Sequence, residues 1–298
     1  MNATASCTNI TTQAESDLMF AYSRPFIAIF AVAGILSNFA LILTILLDPL
    51  KCLRTTTGFL TVNLILNDLL CALLVFVSCV GNWTEDDAVV LVTIALFFVT
   101  GSCVFAVVLS IDRFLLVAYP VKYHRCECKT KIVVINALAW LVILCLTLST
   151  CYMYMNFHND WKYHLTLPVE GLKIFLYLYI NRETLKKLRK LQENFKDQTK
   201  NSGVIQTTAE RKRLAVEKRF CNVLLIMLLN YILFTLPLTI FNHVGVFIGQ
   251  SSGTLKVLKI WCISIVFWFV SLHCLVDPIS HFAGIRKYWK SLLAIRLR

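Results

Sequence analysis

Two aspartates lie inside otherwise apolar stretches of the sequence, where an ionisable side chain is costly to bury. Asp68 follows Asn63 and Asn67 in one stretch, and Asp277 directly precedes Pro278 in another. Such a residue is a functional hypothesis by default and needs a partner. Two carboxylates buried in one region would have to be neutral or share a cation. These two carboxylates could therefore bind a proton or a hydrated cation.

We expect a central polar site formed by these carboxylates and by other polar groups of the apolar stretches. It could hold a sodium ion near Asp68. The alternative is that the polar groups only hydrogen-bond one helix to another, and the sequence favours neither reading. No other cofactor and no dedicated metal site is predicted, because the Cys126-Glu-Cys128 pair lacks the partners and spacing of a zinc site. The predicted members are Asn38, Asp68, Ser102, His273 and Asp277.

The stretches that carry these groups are too apolar for a water-soluble domain. Of 298 residues 58% are hydrophobic and only 15% are charged. A bilayer core about 30 Å thick needs roughly 20 apolar residues for each helix that crosses it. The sequence predicts an all-α membrane protein, a seven-transmembrane helix bundle with a short amphipathic interfacial helix after the seventh span.

The chain divides into three predicted regions. Residues 1–24 are expected to form an extracellular N-terminus, residues 25–283 the transmembrane domain, and residues 284–298 the interfacial helix and cytoplasmic tail. The fifth span is the weakest and is argued from topology, because without it the basic segment 182–219 would share a face with the acidic segment 85–87. The seven spans are expected at about 25–47, 59–80, 88–118, 132–155, 163–185, 221–248 and 258–283.

Basic residues set the predicted orientation, since they are retained near the cytoplasmic ends of spans. With seven spans and an outer N-terminus, the 29 Lys and Arg all fall on the inner side except Arg24, Lys162, Lys173, Lys256 and Lys259. We expect a multi-pass plasma membrane protein with its C-terminus in the cytoplasm. The net charge of +12 then reflects this retention and contact with membrane lipid, and no nucleic-acid partner is expected. Candidate glycosylation sites on the outer side are Asn2, Asn9 and Asn82.

Motifs in nearly every predicted span resemble those of rhodopsin-like (class A) G-protein-coupled receptors, in the same order along the chain. Asp112-Arg113-Phe114 is similar to the Asp-Arg-Tyr box at the inner end of the third span. Asp277-Pro278-x-x-His281 resembles Asn-Pro-x-x-Tyr in the seventh span. The other matching residues are Gly34, Ser37 and Asn38, then Asn63, Leu64 and Asp68, then Trp140, and Pro237.

The resemblance implies a receptor that binds an extracellular ligand and activates a heterotrimeric G protein, and it does not imply an enzyme. Arg113 would be held by Asp112 and Glu217 until a ligand favours the state in which this pairing breaks. Pro237 would bend the sixth span, and Val121 would plug into the partner. The residues assigned to this switch are Asp112, Arg113, Phe114, Val121, Glu217, Thr235, Pro237, Asp277, Pro278 and His281.

Several positions depart from the family pattern. Ala88 stands where the family has a bridged cysteine at the start of the third span, so this bridge is expected to be absent. Thr235 stands in place of the usual tryptophan before Pro237. The missing bridge, the absent proline in the fifth span and Asp277-Pro278 resemble melanocortin-like receptors and their lipid-receptor relatives.

The ligand is not identified by the sequence. Ala95 occupies the position where amine receptors carry an acidic counter-ion, which argues against a monoamine. The acidic segment Glu85, Asp86 and Asp87 could attract a basic peptide or be merely solvated. Glu170 and Lys173 lie three apart on one helical face and could pair, either to serve a ligand or because this span is marginal in lipid.

Two rival functions stay open at this point. The first is a receptor-like seven-helix protein without G-protein coupling, such as a decoy. Thr235 and His281 favour it, whereas the intact Asp112-Arg113 pair opposes it. The second is a membrane transporter that uses Asp68 and Asp277, which is disfavoured because the sequence contains no paired repeats.

Overall fold

Nine helices follow one another in the part of the chain that the structure, a computed structural model, describes. Backbone positions are described for residues 2–48, 55–81, 85–125, 129–156, 161–202, 208–247 and 253–296. Side chains are described at most positions within 22–48, 55–81, 90–149, 171–194, 214–233 and 268–295. The helices are α1 (Asn2–Leu47), α2 (Thr56–Val80), α3 (Glu85–Ala118), α4 (Pro120–Arg125), α5 (Lys129–Asn156), α6 (Trp161–Ser202), α7 (Thr208–Phe247), α8 (Gly253–Gly284) and α9 (Arg286–Arg296).

Each of the seven predicted spans lies within one long helix, namely α1, α2, α3, α5, α6, α7 and α8, except that residue 248 is outside the described part. Helix α9 coincides with the predicted interfacial helix. Helix α4 was not predicted. It begins at Pro120, and proline suits the first position of a helix because its fixed φ is helical and no hydrogen bond is lost there.

Among the described residues, four helices are long and apolar enough to cross a membrane, judged by length and composition. The segments are Tyr22–Leu47, Thr56–Val80, Phe97–Ala118 and Ile132–Ser149. Helix α1 begins at Asn2, so helical structure extends upstream of the predicted first span, although the apolar segment begins only at Tyr22. A helical backbone does not mark the membrane boundary, and the extracellular assignment of residues 1–24 stays a prediction.

Helix α6 is too long to be a transmembrane helix alone. Its 42 residues correspond to about 63 Å at 1.5 Å per residue, roughly twice the thickness of the bilayer core. In its inner half, Leu188 is buried against Val117 of α3 and Cys221 of α7. The helix ends at Ser202, next to Gly203, where the sequence predicts a break. The helical spacing of Leu185, Leu188 and Leu191 among basic residues predicts that this helix continues beyond the membrane. The continuation is present and packs on two neighbouring helices.

Helix α3 is the central helix of the bundle, because it contacts α2, α4, α5, α6 and α7. Helix α8 contacts α1, α2, α7 and α9 on the other side. The main core lies among these helices. Its fully buried members include Leu64, Phe105, Leu109, Leu224 and Leu228.

Large apolar side chains also cover the outside of the bundle. Ile29 and Leu36 of α1 are each 64% exposed, and Val133 of α5 is 66% exposed. In water such a surface would be costly, whereas in a bilayer the surrounding hydrocarbon is as apolar as the side chains. The distribution of apolar residues is therefore that of a bundle surrounded by lipid.

Helices α2 and α3 approach each other closely at Gly101. A Cβ atom added at Gly101 would overlap the side-chain amide of Asn67. Asn67 is fully buried, and its Nδ2 donates to the Asn63 carbonyl at 2.7 Å. The glycine is thus required by the close approach of a buried polar side chain.

Candidate functional site

Three ionisable side chains meet in the centre of the bundle. Asp68 comes from α2, and His273 and Asp277 come from successive turns of α8. The three are between 1% and 3% exposed. One ligand atom from each lies within 4.8 Å of the others, and the His273 Nε2 is 3.9 Å from the Asp68 Oδ1. We call these three residues the central cluster.

The two carboxyl groups of the central cluster are close enough to interact directly. Each offers an oxygen that lies within 4.8 Å of an oxygen of the other, and Ser102 of α3 is also buried, at 2% exposure. Like charges at this separation repel strongly in an apolar surrounding. The pair therefore needs a proton or a cation between its members.

Asn230 of α7 completes the surroundings of the central cluster. Its Nδ2 donates to the Asp277 Oδ1 at 2.6 Å and to the His273 carbonyl at 3.2 Å, and lies 2.9 Å from the His273 Nδ1. Sequence reasoning missed this residue. The available signal was an asparagine inside the apolar run that begins at Cys221, since a polar residue within a span commonly bonds across helices.

Several polar atoms at the centre have no hydrogen-bond partner in the part of the chain that the structure describes. They include the Asp68 Oδ2, the His273 Nε2 and the Asn230 Oδ1. Buried polar groups are ordinarily satisfied, so orphaned atoms of this kind call for an explanation such as an ion or a water molecule. The arrangement can therefore hold a proton, water or a cation among three helices.

Other polar residues of the spans make hydrogen bonds that join helices. The Asn38 Nδ2 donates to the carbonyls of Gly34 at 2.8 Å and Cys274 at 2.7 Å, so Asn38 ties α1 to the backbone of α8. Asn63 accepts a hydrogen bond from the Trp140 Nε1 at 3.1 Å, which joins α2 to α5. Both residues thus make hydrogen bonds between helices, and the place of Asn38 in the central polar site stays a prediction.

A second group of charges lies at the inner end of α3. Arg113 is only 8% exposed. Its Nη1 is 3.0 Å from the Glu217 Oε2 of α7, and its Nη2 is 3.3 Å from the Asp112 Oδ2. The guanidinium also lies over the Phe220 ring, with its Cζ 4.4 Å from the ring centroid. Arg113 thus has the two carboxylate contacts that the resemblance implied, and its role as a switch stays a prediction.

Asp112 is held by two further hydroxyl groups that sequence reasoning missed. The Tyr123 hydroxyl of α4 donates to its Oδ1 at 2.6 Å, and the Thr57 hydroxyl of α2 donates to its Oδ2 at 2.9 Å. Burial and the hydrogen bond to Asp112 raise the pKa of Tyr123, so this hydroxyl stays a donor throughout the physiological range. No sequence signal pointed to Tyr123, because its contact with Asp112 depends on how the short helix α4 packs against α3.

The remaining switch residues have diverse surroundings. Val121 is 71% exposed on α4, and Phe114 is half-buried beside Arg113. His281 is buried, with its Nδ1 3.0 Å from the Asp277 carbonyl oxygen. Pro278 lies inside α8. Thr235 and Pro237 belong to α7, but their side chains lie outside the described residues.

The outer candidates are described only in part. Ala95 is half-buried and packs against the cluster that contains Val99 and Cys103, and Lys173 is half-buried on α6. The pairing of Lys173 with Glu170 stays a prediction. Beyond the described side chains lie Asn2, Asn9, Glu85, Asp86, Asp87 and Glu170, and Asn82 lies beyond the described backbone as well.

Comparison with known proteins gives a match over most of the chain. Residues 37–280 match the family model described as 7 transmembrane receptor (rhodopsin family). The human lysophosphatidic acid receptor 6 is 30% identical over 119 residues, which cover 38% of this chain and 34% of that receptor. The Xenopus laevis D(2) dopamine receptor A is 33% identical over 100 residues, which cover 31% of this chain and 23% of that receptor. These alignments thus span about a third or less of each relative.

Proposed function

The chain belongs to the rhodopsin family of seven-transmembrane receptors, and from this premise we propose that it is a cell-surface G-protein-coupled receptor. It binds an extracellular ligand and promotes nucleotide exchange on a heterotrimeric G protein. The observation that carries this proposal is the buried Arg113, held by Asp112 and Glu217 where α3 meets α7. Catalysis is no part of the proposed function.

The pairing of Arg113 with Glu217 joins two helices whose separation would open the cytoplasmic face. A buried ion pair that loses one partner leaves an uncompensated charge, so the joined state persists until other contacts replace it. A ligand that binds the separated state more tightly shifts the population towards it. Pro237 gives α7 a place to bend. The exposed Val121 on α4 then supplies an apolar contact for the G protein.

The relatives' names suggest two ligand classes, a lysophospholipid and an amine. A cationic amine needs a carboxylate partner, and at the position where the family resemblance places this acid the chain has Ala95, which packs in an apolar cluster. We therefore favour a lipid over a monoamine. A basic peptide that binds at Glu85, Asp86 and Asp87 is the second candidate, and loss of the peptide response after neutralising all three would support it.

The orientation supports the same proposal. We expect a plasma membrane protein with an outer N-terminus and a cytoplasmic C-terminus, because the basic inner half of α6 and the basic start of α7 share one side. Epitope tags at the two termini of intact cells test it. Accessibility of only the N-terminal tag is the expected result, and two tags on the same side would overturn the odd number of crossings.

The proposed coupling is tested by a ligand screen in cells that carry reporters for several G-protein classes. The panel contains lysophospholipids, basic peptides and amines. A response that disappears in Arg113→Ala supports the proposal, whereas a response that survives this substitution contradicts the output route. The matched control is Arg125→Ala, since Arg125 is an exposed arginine on the same cytoplasmic side. Surface expression of each variant is measured through the tag. Binding of a ligand without any reporter response would support the alternative of a decoy that does not couple to a G protein.

A sodium ion near Asp68 remains a prediction of the same proposal. The carboxyl groups of Asp68 and Asp277 and the Ser102 hydroxyl are oxygen ligands of the kind that a hard cation prefers. Replacing sodium by a large organic cation should then change ligand-independent signalling. Asp68→Asn should remove this dependence.

A further inference from the structure

We propose that Asp68, His273 and Asp277 bind one divalent transition-metal ion of the zinc type. The three side chains are buried, and their ligand atoms lie within 4.8 Å of one another. Two carboxylates and one imidazole are a ligand set that occurs at zinc sites in proteins. The sequence predicted these three residues as members of a central polar site with a sodium ion, but it predicted no dedicated metal site, because the convergence of the ligand atoms depends on the packing of two helices that are far apart in the chain.

The imidazole of His273 decides the class of ion. Imidazole nitrogen suits zinc and neighbouring transition metals, whereas sodium, magnesium and calcium prefer oxygen ligands. The His273 Nε2 faces Asp68 across 3.9 Å, which is too long for a hydrogen bond, and has no other partner among the described residues. The Asp68 Oδ2 is likewise buried without a partner. A nitrogen and an oxygen that lack hydrogen-bond partners at the same place are the two kinds of ligand atom that a transition-metal ion binds.

Binding of an ion between His273 and Asp68 requires only a small movement of the two side chains. Bonds of about 2.0–2.2 Å at a tetrahedral angle separate a nitrogen and an oxygen ligand by roughly 3.4 Å. The His273 Nε2 and the Asp68 Oδ1 are 3.9 Å apart, so an ion would draw the two side chains together by about half an ångström. Three protein ligands leave a fourth position for water, as in zinc sites that stay open to exchange.

Asn230 is the residue that orients the histidine. When the Nε2 binds a metal ion, the neutral ring carries its proton on the Nδ1, and a hydrogen-bond acceptor must face it. The Asn230 amide adjoins the Nδ1, and its Oδ1 has no partner. Rotation of this amide places the oxygen against the Nδ1–H, while the metal replaces the amide as the partner of Asp277. Asn230 is thus a positioning residue for the metal site.

Occupancy would tie α2 to α8 directly and both to α7 through Asn230. This regulatory consequence rests on the proposed receptor function, since an ion that joins these helices would stabilise one arrangement of the bundle. The site itself does not depend on signalling. Its test therefore uses the purified full-length chain in detergent, without ligand or G protein, so that a failed ligand screen and a failed metal measurement are distinguishable.

The experiment measures thermal unfolding and bound metal while zinc is titrated, with sodium and magnesium in parallel samples and accessible thiols alkylated beforehand. We expect zinc to raise the unfolding temperature further than sodium or magnesium does, at a stoichiometry near one ion per chain. His273→Asn should abolish the shift, and Asn230→Ala should weaken the zinc affinity by about 10- to 100-fold. The matched control is His281→Asn, which removes another buried histidine of α8 and should keep the shift.

Equal stabilisation by zinc in wild type and His273→Asn would overturn the proposal, as would stabilisation by sodium or magnesium to the same extent. If His273→Asn does not fold, cobalt bound to the wild type provides a second measurement. Its visible absorption reports nitrogen and oxygen ligands in a four- or five-coordinate site. A spectrum of cobalt surrounded only by water would equally overturn the proposal.

Discussion

The Nη1 of Arg113 lies 3.0 Å from the Oε2 of Glu217, and this contact joins α3 to α7 near the C-terminal end of α3. Both side chains are largely buried, at 10% and 12% exposure. Because water does not screen the pair well, losing one partner destabilises the protein more than losing a partner of a surface salt bridge.

Reversal of charge in Glu217→Lys should raise ligand-independent signalling. Removing one partner of a buried pair costs about 3–5 kcal/mol, which exceeds a gap of a few kcal/mol between two receptor states. Basal nucleotide exchange on the G protein is the measurement. Glu183→Lys is the control, because Glu183 pairs with the exposed Lys186 and its reversal should leave basal activity near wild type. Unchanged basal activity in Glu217→Lys would count against the switch.

Tyr123→Phe should also raise basal activity, by a smaller factor than Glu217→Lys. The substitution removes the 2.6 Å hydrogen bond to Asp112, and hydrogen bonds to charged groups contribute about 1.5–3 kcal/mol. Because the pKa of Tyr123 is raised by burial and by Asp112, the bond is fully present below the ordinary tyrosine pKa. It would be lost only as the pH rises through the higher folded-state pKa, so the difference between wild type and variant should not change with pH between about 6 and 9. Tyr119→Phe, at an exposed position, is the control.

Gly101→Ala should destabilise the folded protein. The added methyl group overlaps the buried Asn67 amide, and overpacking of this kind costs about 1–3 kcal/mol. Thermal unfolding of the purified chain is the measurement, with surface expression in cells as a second readout. Gly171→Ala is a matched control, since nothing lies within 4 Å of a Cβ at Gly171. Equal stability of the two variants would show that α2 and α3 are not so closely packed.

Tyr177→Phe should lower stability modestly. The Tyr177 hydroxyl donates to the Leu224 carbonyl at 2.7 Å and joins α6 to α7 in a fully buried place. Loss of one such hydrogen bond costs about 0.5–1.5 kcal/mol. Tyr179→Phe should have no measurable effect, because Tyr179 is 54% exposed. The comparison is again made by thermal unfolding, and a larger loss in Tyr179→Phe would contradict the assignment of Tyr177 as the inward-facing tyrosine.

Much of the fold follows from local properties of the sequence. The apolar runs from Pro25, Phe59 and Ile132 predict helices because an isolated backbone in lipid must satisfy its hydrogen bonds within the same segment. Leu188 continues the helical spacing of α6 beyond the membrane, and Gly203 predicts its end. The order of the motifs, with Arg113 and Pro278 among them, predicts the family. Each of these inferences needs only the neighbours of a residue along the chain.

The partners of polar side chains could not be predicted in the same way. The sequence places Asp68 and Asn38 together in the central site, yet Asp68 faces His273 whereas Asn38 bonds to the α8 backbone. Asn230 and Tyr123 were missed altogether. Their partners are set by the rotation and crossing of different helices, and a difference in rotation redirects a side chain from one neighbour to another.

The sequence by itself determined the number of long helices, their apolar lengths and the family, because lipid solvation and helix formation act on contiguous residues. Only the tertiary structure decided that His273 lies opposite Asp68, that Asn230 of α7 bonds to His273 and Asp277 of α8, and that Tyr123 reaches Asp112. The physical reason is that these contacts join separate helices, so they exist only once the packing of side chains has fixed each helix against its neighbours.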